Sequence, residues 1–288
     1  MDHLDLDLRR DEDEPPAPPP PSDRSIAFPV ALVGLVVLIA GLATFYFVTR
    51  QPSPRSSTTP AVREQPAAPA VAQPSPLGGE PEAVEIPPLD ESDPIVRMLA
   101  RALSQNPTFL AWLASDDLIR RFTVTVVNVA DGQSPATHLR MMRPRTGFSV
   151  RQRGEDVYVD VRSYERYTPL ADAVASIDPA GSARLYATLK PRIEDAYREL
   201  GYTSMPFDRT LERAIVLLLA TPVSDNPVLL QPGKATEYQY VDPGLERLTK
   251  AQKHVLRLGP RNARAVQTSL RNIASALGIP PDRLPPVP

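Results

Sequence analysis

The fold is decided by residues 179–220, PAGSARLYATLKPRIEDAYRELGYTSMPFDRTLERAIVLLLA, which predict two helices in succession. The first runs from Pro179 to Leu200 and ends at Gly201, because glycine readily adopts the left-handed conformation that closes a helix. The second runs from Phe207 to Ala220 and ends before Pro222, since proline cannot continue a helix. These two helices predict a mainly helical domain.

Further helix signals lie on the N-terminal side of this stretch. Ser92-Asp93-Pro94 places a capping residue and a proline before an apolar run at helical spacing, and Asn106-Pro107 has the same pattern. Both tripeptide and dipeptide are typical of helix starts. Asp116 is predicted to cap a third helix, which stops before Gly132. The first half of the domain should therefore be helical.

The remaining helices follow the same signals. Residues Pro169–Ile177 predict one helix, and the C-terminal part predicts two helices that are separated by Gly259-Pro260. The last of them should end at Gly278. All of these helices fall within residues 89–288, which have enough apolar content to form one core.

Two short hairpins interrupt the helices. Phe148–Arg153 and Val157–Val161 alternate apolar and polar residues on either side of a Gly-Glu-Asp turn, and Val228–Gln231 with Thr236–Val241 repeats the pattern. Alternation of this kind is typical of half-buried strands. The predicted fold class is therefore mainly α, with a single transmembrane helix, a proline-rich linker, and a helical domain that carries two small β-hairpins.

The N-terminal third has a different composition from the domain. Residues 1–25 combine eight acidic side chains with a proline run and predict a disordered tail. Residues 26–48, IAFPVALVGLVVLIAGLATFYFV, predict a transmembrane helix. Residues 49–88 are rich in proline and alanine and predict an extended tether. Residues 89–288 then form the globular domain.

The span Ile26–Val48 contains no charged residue and lies between Arg24 and Arg50. Its 23 residues exceed the length that crosses ~30 Å of hydrocarbon at 1.5 Å per residue. The alternative is a cleaved signal peptide with a site at Gly41-Leu42-Ala43, but signal peptides have a basic leader and a shorter apolar core. We therefore expect an inner-membrane anchor. The small residues Ala27, Gly34 and Gly41 share one helical face and predict a weak homodimer.

Composition excludes several classes of site. The chain has no cysteine, which excludes disulfides, thiolate nucleophiles and cysteine-ligated metals. His138 and His254 are the histidines of the domain, and neither has a partner at a metal-binding spacing. No glycine-rich phosphate loop is present. The sequence predicts neither a metal site nor a cofactor.

One polar cluster is a candidate catalytic site. His138 is the best candidate general base, and it lies in a loop close to several arginines. The candidate residues are His138, Asp116, Asp117, Arg120, Arg121 and Arg143. The alternative is that the two acids and the two arginines one turn later form ordinary i,i+4 ion pairs on a helix surface.

A basic stretch near the C-terminus is a candidate site for an anionic partner. Residues Arg247 to Pro281 contain seven basic side chains and no acidic one. The site would consist of Lys250, Lys253, Arg257, Arg261 and Arg264. Such a surface attracts anionic polymers or lipid headgroups with an affinity that falls as salt rises, whereas nucleic acid is not an expected partner. The alternative is a solvated helix face.

Four strings carry a resemblance to a known family: DDLIRRF, NVADGQSPATHL, YERYTPLADAVASID and LGPRNARAVQ. Behind an anchor and a Pro/Ala tether, they resemble the bacterial domain-of-unknown-function family number three thousand and fourteen over about Leu89 to Ile279. The resemblance implies a Gram-negative envelope protein. It implies no activity and assigns no role to any residue.

Two functions follow as expectations from the order of anchor, tether and domain. The first is a membrane-anchored envelope module that binds or scaffolds a protein or polymer at a distance from the bilayer. The second is a cell-wall-directed hydrolase or transferase that uses His138 with Asp116 or Asp117. The missing catalytic motifs favour the first.

We expect the C-terminal domain to lie on the periplasmic side, where a long tether has most use. Arginines flank the span on both sides in equal number, so the positive-inside rule does not decide its orientation. A C-terminal fusion to a reporter that is active only in the periplasm should therefore be active. A matched fusion that is active only in the cytoplasm should be silent, and the reverse result would contradict the prediction.

Overall fold

The computed structural model describes residues 76–233 and 237–286. Within these residues the protein is mainly helical with a small antiparallel sheet, which confirms the coarse fold class. The predicted tail, the span Ile26–Val48 and most of the tether lie outside the described residues. None of the helices within 76–233 and 237–286 combines the length and the apolar character that a membrane crossing requires.

The described residues form ten α-helices and four strands. The helices of the first half are α1 (Asp93–Ala100), α2 (Pro107–Trp112), α3 (Leu118–Ala130), α4 (Arg162–Glu165) and α5 (Thr168–Ala175). Those of the second half are α6 (Pro179–Glu199), α7 (Phe207–Leu219), α8 (Pro243–Glu246), α9 (Lys250–Arg257) and α10 (Pro260–Ala276). The strands are β1 (Val150–Arg153), β2 (Asp156–Val159), β3 (Leu229–Pro232) and β4 (Tyr238–Tyr240).

The two predicted hairpins form and join into one sheet. Strand β1 pairs with β2, and β3 pairs with β4, both antiparallel. Strand β2 also pairs antiparallel with β3, with Val157 opposite Leu230. The sheet order is therefore β1-β2-β3-β4, although the two hairpins are far apart in sequence. Leu230 is buried, and this burial favours the register that places it opposite Val157.

The proline-led helix start at Asn106-Pro107 is confirmed. The Asn106 side chain accepts hydrogen bonds from the backbone N–H groups of Thr108 and Phe109, which caps α2. The prediction for Ser92 is wrong, because Ser92 already has helical backbone angles and its hydroxyl donates to the carbonyl of Leu89. A helical turn at residues 89–91 precedes α1, so Ser92 has no free helix end to cap.

The start of α3 also differs from the prediction. Asp116 does not cap it; Asp93 of α1 accepts hydrogen bonds from the backbone N–H groups of Asp117 at 2.7 Å and Leu118 at 2.9 Å. Asp117 adopts a left-handed conformation with φ of 56°, which turns the chain sharply into the helix. The capping residue Asp93 precedes Asp117 by 24 residues, so no local sequence signal marks it. Its hydrogen bonds hold the start of α3 against α1.

The core lies mainly between α3, α6, α7 and α10. Tyr197 and Phe207 are completely buried where α6 meets α7, and their rings pack edge to face with centroids 5.3 Å apart. The Tyr197 hydroxyl lies 2.8 Å from the Thr210 hydroxyl, so burial leaves no polar atom of that ring unpaired. Phe122 of α3 packs on Phe207 from the other side, with centroids 5.9 Å apart.

Residues 77–88, which composition assigned to the tether, lie against the domain. Leu77 and Ile86 are buried. The backbone N–H of Glu82 donates to the Thr188 hydroxyl, and Arg192 donates to the carbonyl of Ile86. The packed unit therefore begins ahead of the predicted boundary at Leu89. Proline content alone does not distinguish a tether from an extended segment that packs on helices.

The predicted break between the last two helices is confirmed at Gly259. This residue has φ of +76°, and a Cβ atom there would lie 2.3 Å from Cγ of Tyr164. Only glycine fits both requirements, since other residues rarely adopt this conformation. The close approach brings α9 and α10 against α4 and its neighbour α5. The Asn262 side chain also donates a hydrogen bond to the Tyr164 carbonyl, which strengthens this contact.

Candidate functional site

A large apolar cavity lies inside the helical part of the domain. Its volume is about 510 Å³, and its walls come from α1, α2, α3, α6, α7 and α10 together with His138, Leu139 and Met142. Most of the lining side chains are aliphatic or aromatic, among them Leu103, Phe109, Trp112, Leu189, Ile193, Leu211, Ile215, Leu270 and Leu277. A volume of 300–1,000 Å³ is typical of small-molecule sites.

A few polar side chains interrupt this lining. They are Ser115, Arg121, Thr125, His138 and Ser182, besides the polar ends of Trp112 and Tyr186. The Tyr186 hydroxyl is already engaged, because it donates to Asp208 at 2.5 Å. Arg121 and His138 are therefore the ionisable groups of the lining that have no carboxylate partner among the described residues.

A polar depression adjoins the apolar cavity. It has a volume of about 310 Å³ and is lined by Asp117, Arg120, Arg121, Val124, His138, Ala196, Glu199 and Leu200. Arg121 and His138 line both spaces. We call this shared place the mouth. The site thus combines an apolar interior with a charged mouth, the arrangement that an amphipathic molecule needs.

Arg120 is held in a cluster of carboxylates beside the mouth. Its Nε and Nη2 atoms donate to both oxygens of Glu199 at 2.7 and 3.0 Å. Asp90 lies 2.8 Å from Nη2, and Asp117 lies 3.4 Å from Nη1. The bond to Glu199, followed by the bond to Asp90, raises the pKa of Arg120, and the bond from Arg120 lowers the pKa of Glu199. Arg120 is fully engaged by the protein itself.

Arg121 differs from its neighbour. Its Nε donates to the backbone carbonyl of Asp116 at 2.6 Å, and this contact fixes the plane of the guanidinium. None of the ion pairs between described residues includes Arg121. Its terminal N–H groups are therefore free to donate to another molecule at the mouth.

His138 belongs to a segment whose other end is held by the half-buried His254. The Ser134 hydroxyl lies 2.7 Å from Nε2 of His254 on α9. Burial, followed by the neighbouring Arg257, lowers the pKa of His254 to about 4, so its ring is neutral at pH 7. The backbone N–H of Ala251 also donates to the carbonyl of Gly132. These contacts position the chain that continues to His138, Leu139 and Met142.

The structure brings together four of the six candidate catalytic residues. Asp117, Arg120, Arg121 and His138 line the depression, whereas Asp116 and Arg143 line neither space. The alternative prediction of two i,i+4 ion pairs is wrong. Asp116 lies outside α3 and offers only its carbonyl to Arg121, and Asp117 pairs with Arg120 at i,i+3. The left-handed turn at Asp117 shifts both acids out of the helical register.

The basic stretch is partly neutralised by acids from other elements. Lys253 pairs with Glu246 at 2.6 Å, and Arg264 pairs with both oxygens of Asp225 at 2.8 and 2.7 Å. Lys250, Arg257 and Arg261 form no ion pair with a described residue. The anionic-partner prediction for all five residues stays a prediction, with three of them as its remaining free charges.

Sequence reasoning missed the cavity and most of its lining. Phe122, Thr125, Leu139 and Met142 were not among the candidate site residues, yet all four line the cavity. An apolar residue that faces a cavity has the same sequence pattern as one that faces a packed core. The string NVADGQSPATHL carried the available signal, because its residues 131–139 form a long loop with His138 near its end.

Thr125 on α3 tests whether this wall of the cavity contains an unsatisfied hydroxyl. Its hydroxyl is buried and has no hydrogen-bond partner among the described residues, whereas the buried Thr123 hydroxyl on the same helix donates to Ile119 at 2.8 Å. Thr125→Val should leave the free energy of unfolding unchanged or raise it, since it removes an unsatisfied polar atom. Thr123→Val should lower it by about 1 kcal/mol. Urea unfolding followed by circular dichroism measures both, and an equal loss in the two variants would contradict the assignment.

Comparison with curated proteins and with solved structures finds no match. The model of a protein family does match, over residues 118–274. This range begins with α3 at the mouth and ends in α10, so it includes both arginines, His138 and the far wall of the cavity. The match covers more than half of the chain, and the protein belongs to the family described as a protein of unknown function, DUF3014.

Proposed function

We propose that this protein is a binding module that holds an amphipathic molecule by its alkyl chain. The observation that carries the proposal is the apolar cavity of about 510 Å³ that adjoins a charged mouth. Each buried methylene contributes about 0.8 kcal/mol, so a chain of ten or more carbons supplies ample binding energy even after the cost of ordering it.

The cavity walls suit a flexible chain better than a rigid polar ligand. Side chains from six helices face the space, and most of them are aliphatic or aromatic, so few polar atoms line it. A polar ligand would lose its hydrogen bonds to water and regain few inside. An alkyl chain loses none, which favours a lipid-like ligand.

The anchor and the tether give this binding module a setting. We propose a single-pass envelope protein of the bacterial inner membrane, with the span at Ile26–Val48 and the domain on the periplasmic side. A membrane is the source of amphipathic molecules, and a tether of residues 49–76 allows the domain to reach away from it. The uncharged span and the proline content support this part of the proposal.

Filling the cavity tests the proposed binding. Ala100 on α1 and Ala214 on α7 are buried and line the space, so Ala100→Phe and Ala214→Phe each place a ring inside it. A dodecanol that carries a diazirine at its chain end should label α3 in the full chain in lipid nanodiscs. Excluding two methylenes costs about 1.6 kcal/mol, so each variant should lose about tenfold in labelling.

The control for these variants is Ala111→Phe. Ala111 is exposed on α2 and lines neither space, so its substitution adds the same ring without filling the cavity. Labelling in the control should equal that of the unmodified chain, with unchanged circular dichroism in all three variants. Full labelling of α3 in both cavity-filling variants, with their fold intact, would contradict the proposal.

A hydrolase or transferase that acts on cell-wall material is a second candidate. The observation in its favour is that His138, Asp117, Arg120 and Arg121 line one depression. His138 would act as general base, with Asp117 to orient it, in place of Asp116, which lines neither space. Incubation of the full chain with cell-wall fragments should then release products, and His138→Ala should abolish the release. An absence of products from the unmodified chain would refute this candidate.

A further inference from the structure

We infer that the ligand carries one negative charge, a carboxylate at the end of its alkyl chain, and that Arg121 binds this group. The inference rests on the proposed function and specifies the head of the molecule whose chain the cavity holds. It follows from the different electrostatic surroundings of two adjacent arginines and from the charges around the mouth.

Arg121 has the position and the free donors that carboxylate binding requires. It lines both the cavity and the depression, so it stands where an alkyl chain inside the cavity would meet its polar head in the depression. One donor, Nε, is used by the carbonyl of Asp116 at 2.6 Å, which orients the group and leaves the terminal N–H groups available. Two parallel N–H donors match the two oxygens of a carboxylate.

His138 supplies a second polar contact at the same place. It is half-buried, lines both spaces and makes no side-chain hydrogen bond to another described residue. An imidazole N–H donates to an oxygen whether the ring is neutral or protonated. The mouth therefore offers one permanent positive charge and one further donor.

The surrounding charges favour a single negative charge over two. Arg120 is already balanced by Glu199, Asp90 and Asp117, and two of these acids, Glu199 and Asp117, line the depression themselves. Arg121 is thus the uncompensated cation of the mouth among the described residues. A dianionic phosphate would face these carboxylates at close range, and like charges in one site repel.

The test uses three diazirine-bearing probes with the same dodecyl chain: dodecanoate, dodecanol and dodecyl phosphate. The full chain in lipid nanodiscs is irradiated at pH 8, where the carboxylate carries one charge and the phosphate two, and the labelled peptides are mapped by mass spectrometry. Labelling of α3 is compared among the unmodified chain, Arg121→Gln and Arg143→Gln. Arg143 is exposed, lies in the same region of the sequence and lines neither space, so it controls for general electrostatic attraction.

We expect dodecanoate to label α3 about tenfold more than dodecanol in the unmodified chain, because a charge-assisted hydrogen bond contributes about that factor. Arg121→Gln should remove this preference while dodecanol labelling stays the same, and Arg143→Gln should retain it. Dodecyl phosphate should label less than dodecanoate.

The possible failures are distinguishable. Equal labelling by dodecanoate and dodecanol in the unmodified chain would overturn the carboxylate inference and leave the apolar binding function standing. Loss of the preference in both arginine variants would assign it to general attraction and overturn the role of Arg121. Stronger labelling by dodecyl phosphate would overturn the single charge. If no probe labels α3, the proposed function itself fails.

Discussion

The contact between Tyr197 and Phe207 is the interaction on which the rest of the domain depends. Both rings are completely buried at the point where α6 turns into α7, with their centroids 5.3 Å apart. Phe207 begins α7, so its burial fixes the direction of that helix relative to α6. Phe122 packs on the same ring from α3. One aromatic side chain therefore sets the relative positions of three helices, and aromatic pairs of this kind add about 0.5–1.5 kcal/mol beyond the area that they bury.

The cavity and the mouth follow from this arrangement. Tyr186 lies nearer the start of α6 than Tyr197. Its ring packs against Phe207 with centroids 6.5 Å apart, and it also lines the cavity. Two members of the aromatic cluster, Tyr186 and Phe122, thus form part of the cavity wall. Glu199 follows Tyr197 by two residues on α6, and this brings its carboxylate to Arg120. The same contact that builds the core therefore also builds one side of the polar depression.

Local chemistry explains which features the sequence could predict. The helices that begin at Pro107 and Pro179 follow from capping residues next to a proline, and Gly259 follows from a break that only glycine permits. Both hairpins were also local patterns. Their union into one sheet could not be predicted from local patterns, because the pairing of Val157 with Leu230 joins segments that are 73 residues apart. The cap that Asp93 provides for α3 is non-local in the same way, and reading Asp116 as the cap was the error that followed.

The candidate site likewise has features that the sequence could predict and features that depend on the fold. The polar residues His138, Asp117, Arg120 and Arg121 could be selected by type, and the structure does bring them to one depression. Their roles could not be read from type, since two adjacent arginines have opposite surroundings. Arg120 is balanced by Glu199, a partner 79 residues away, whereas Arg121 keeps its terminal donors free. Arg121 is only partly buried and its bond to Asp116 lies at the surface, so another molecule can reach its terminal donors from outside. The pair of neighbours is therefore more informative than either residue: Arg120 joins α3 to α6 and to Asp90, whereas the terminal donors of Arg121 bind no described residue.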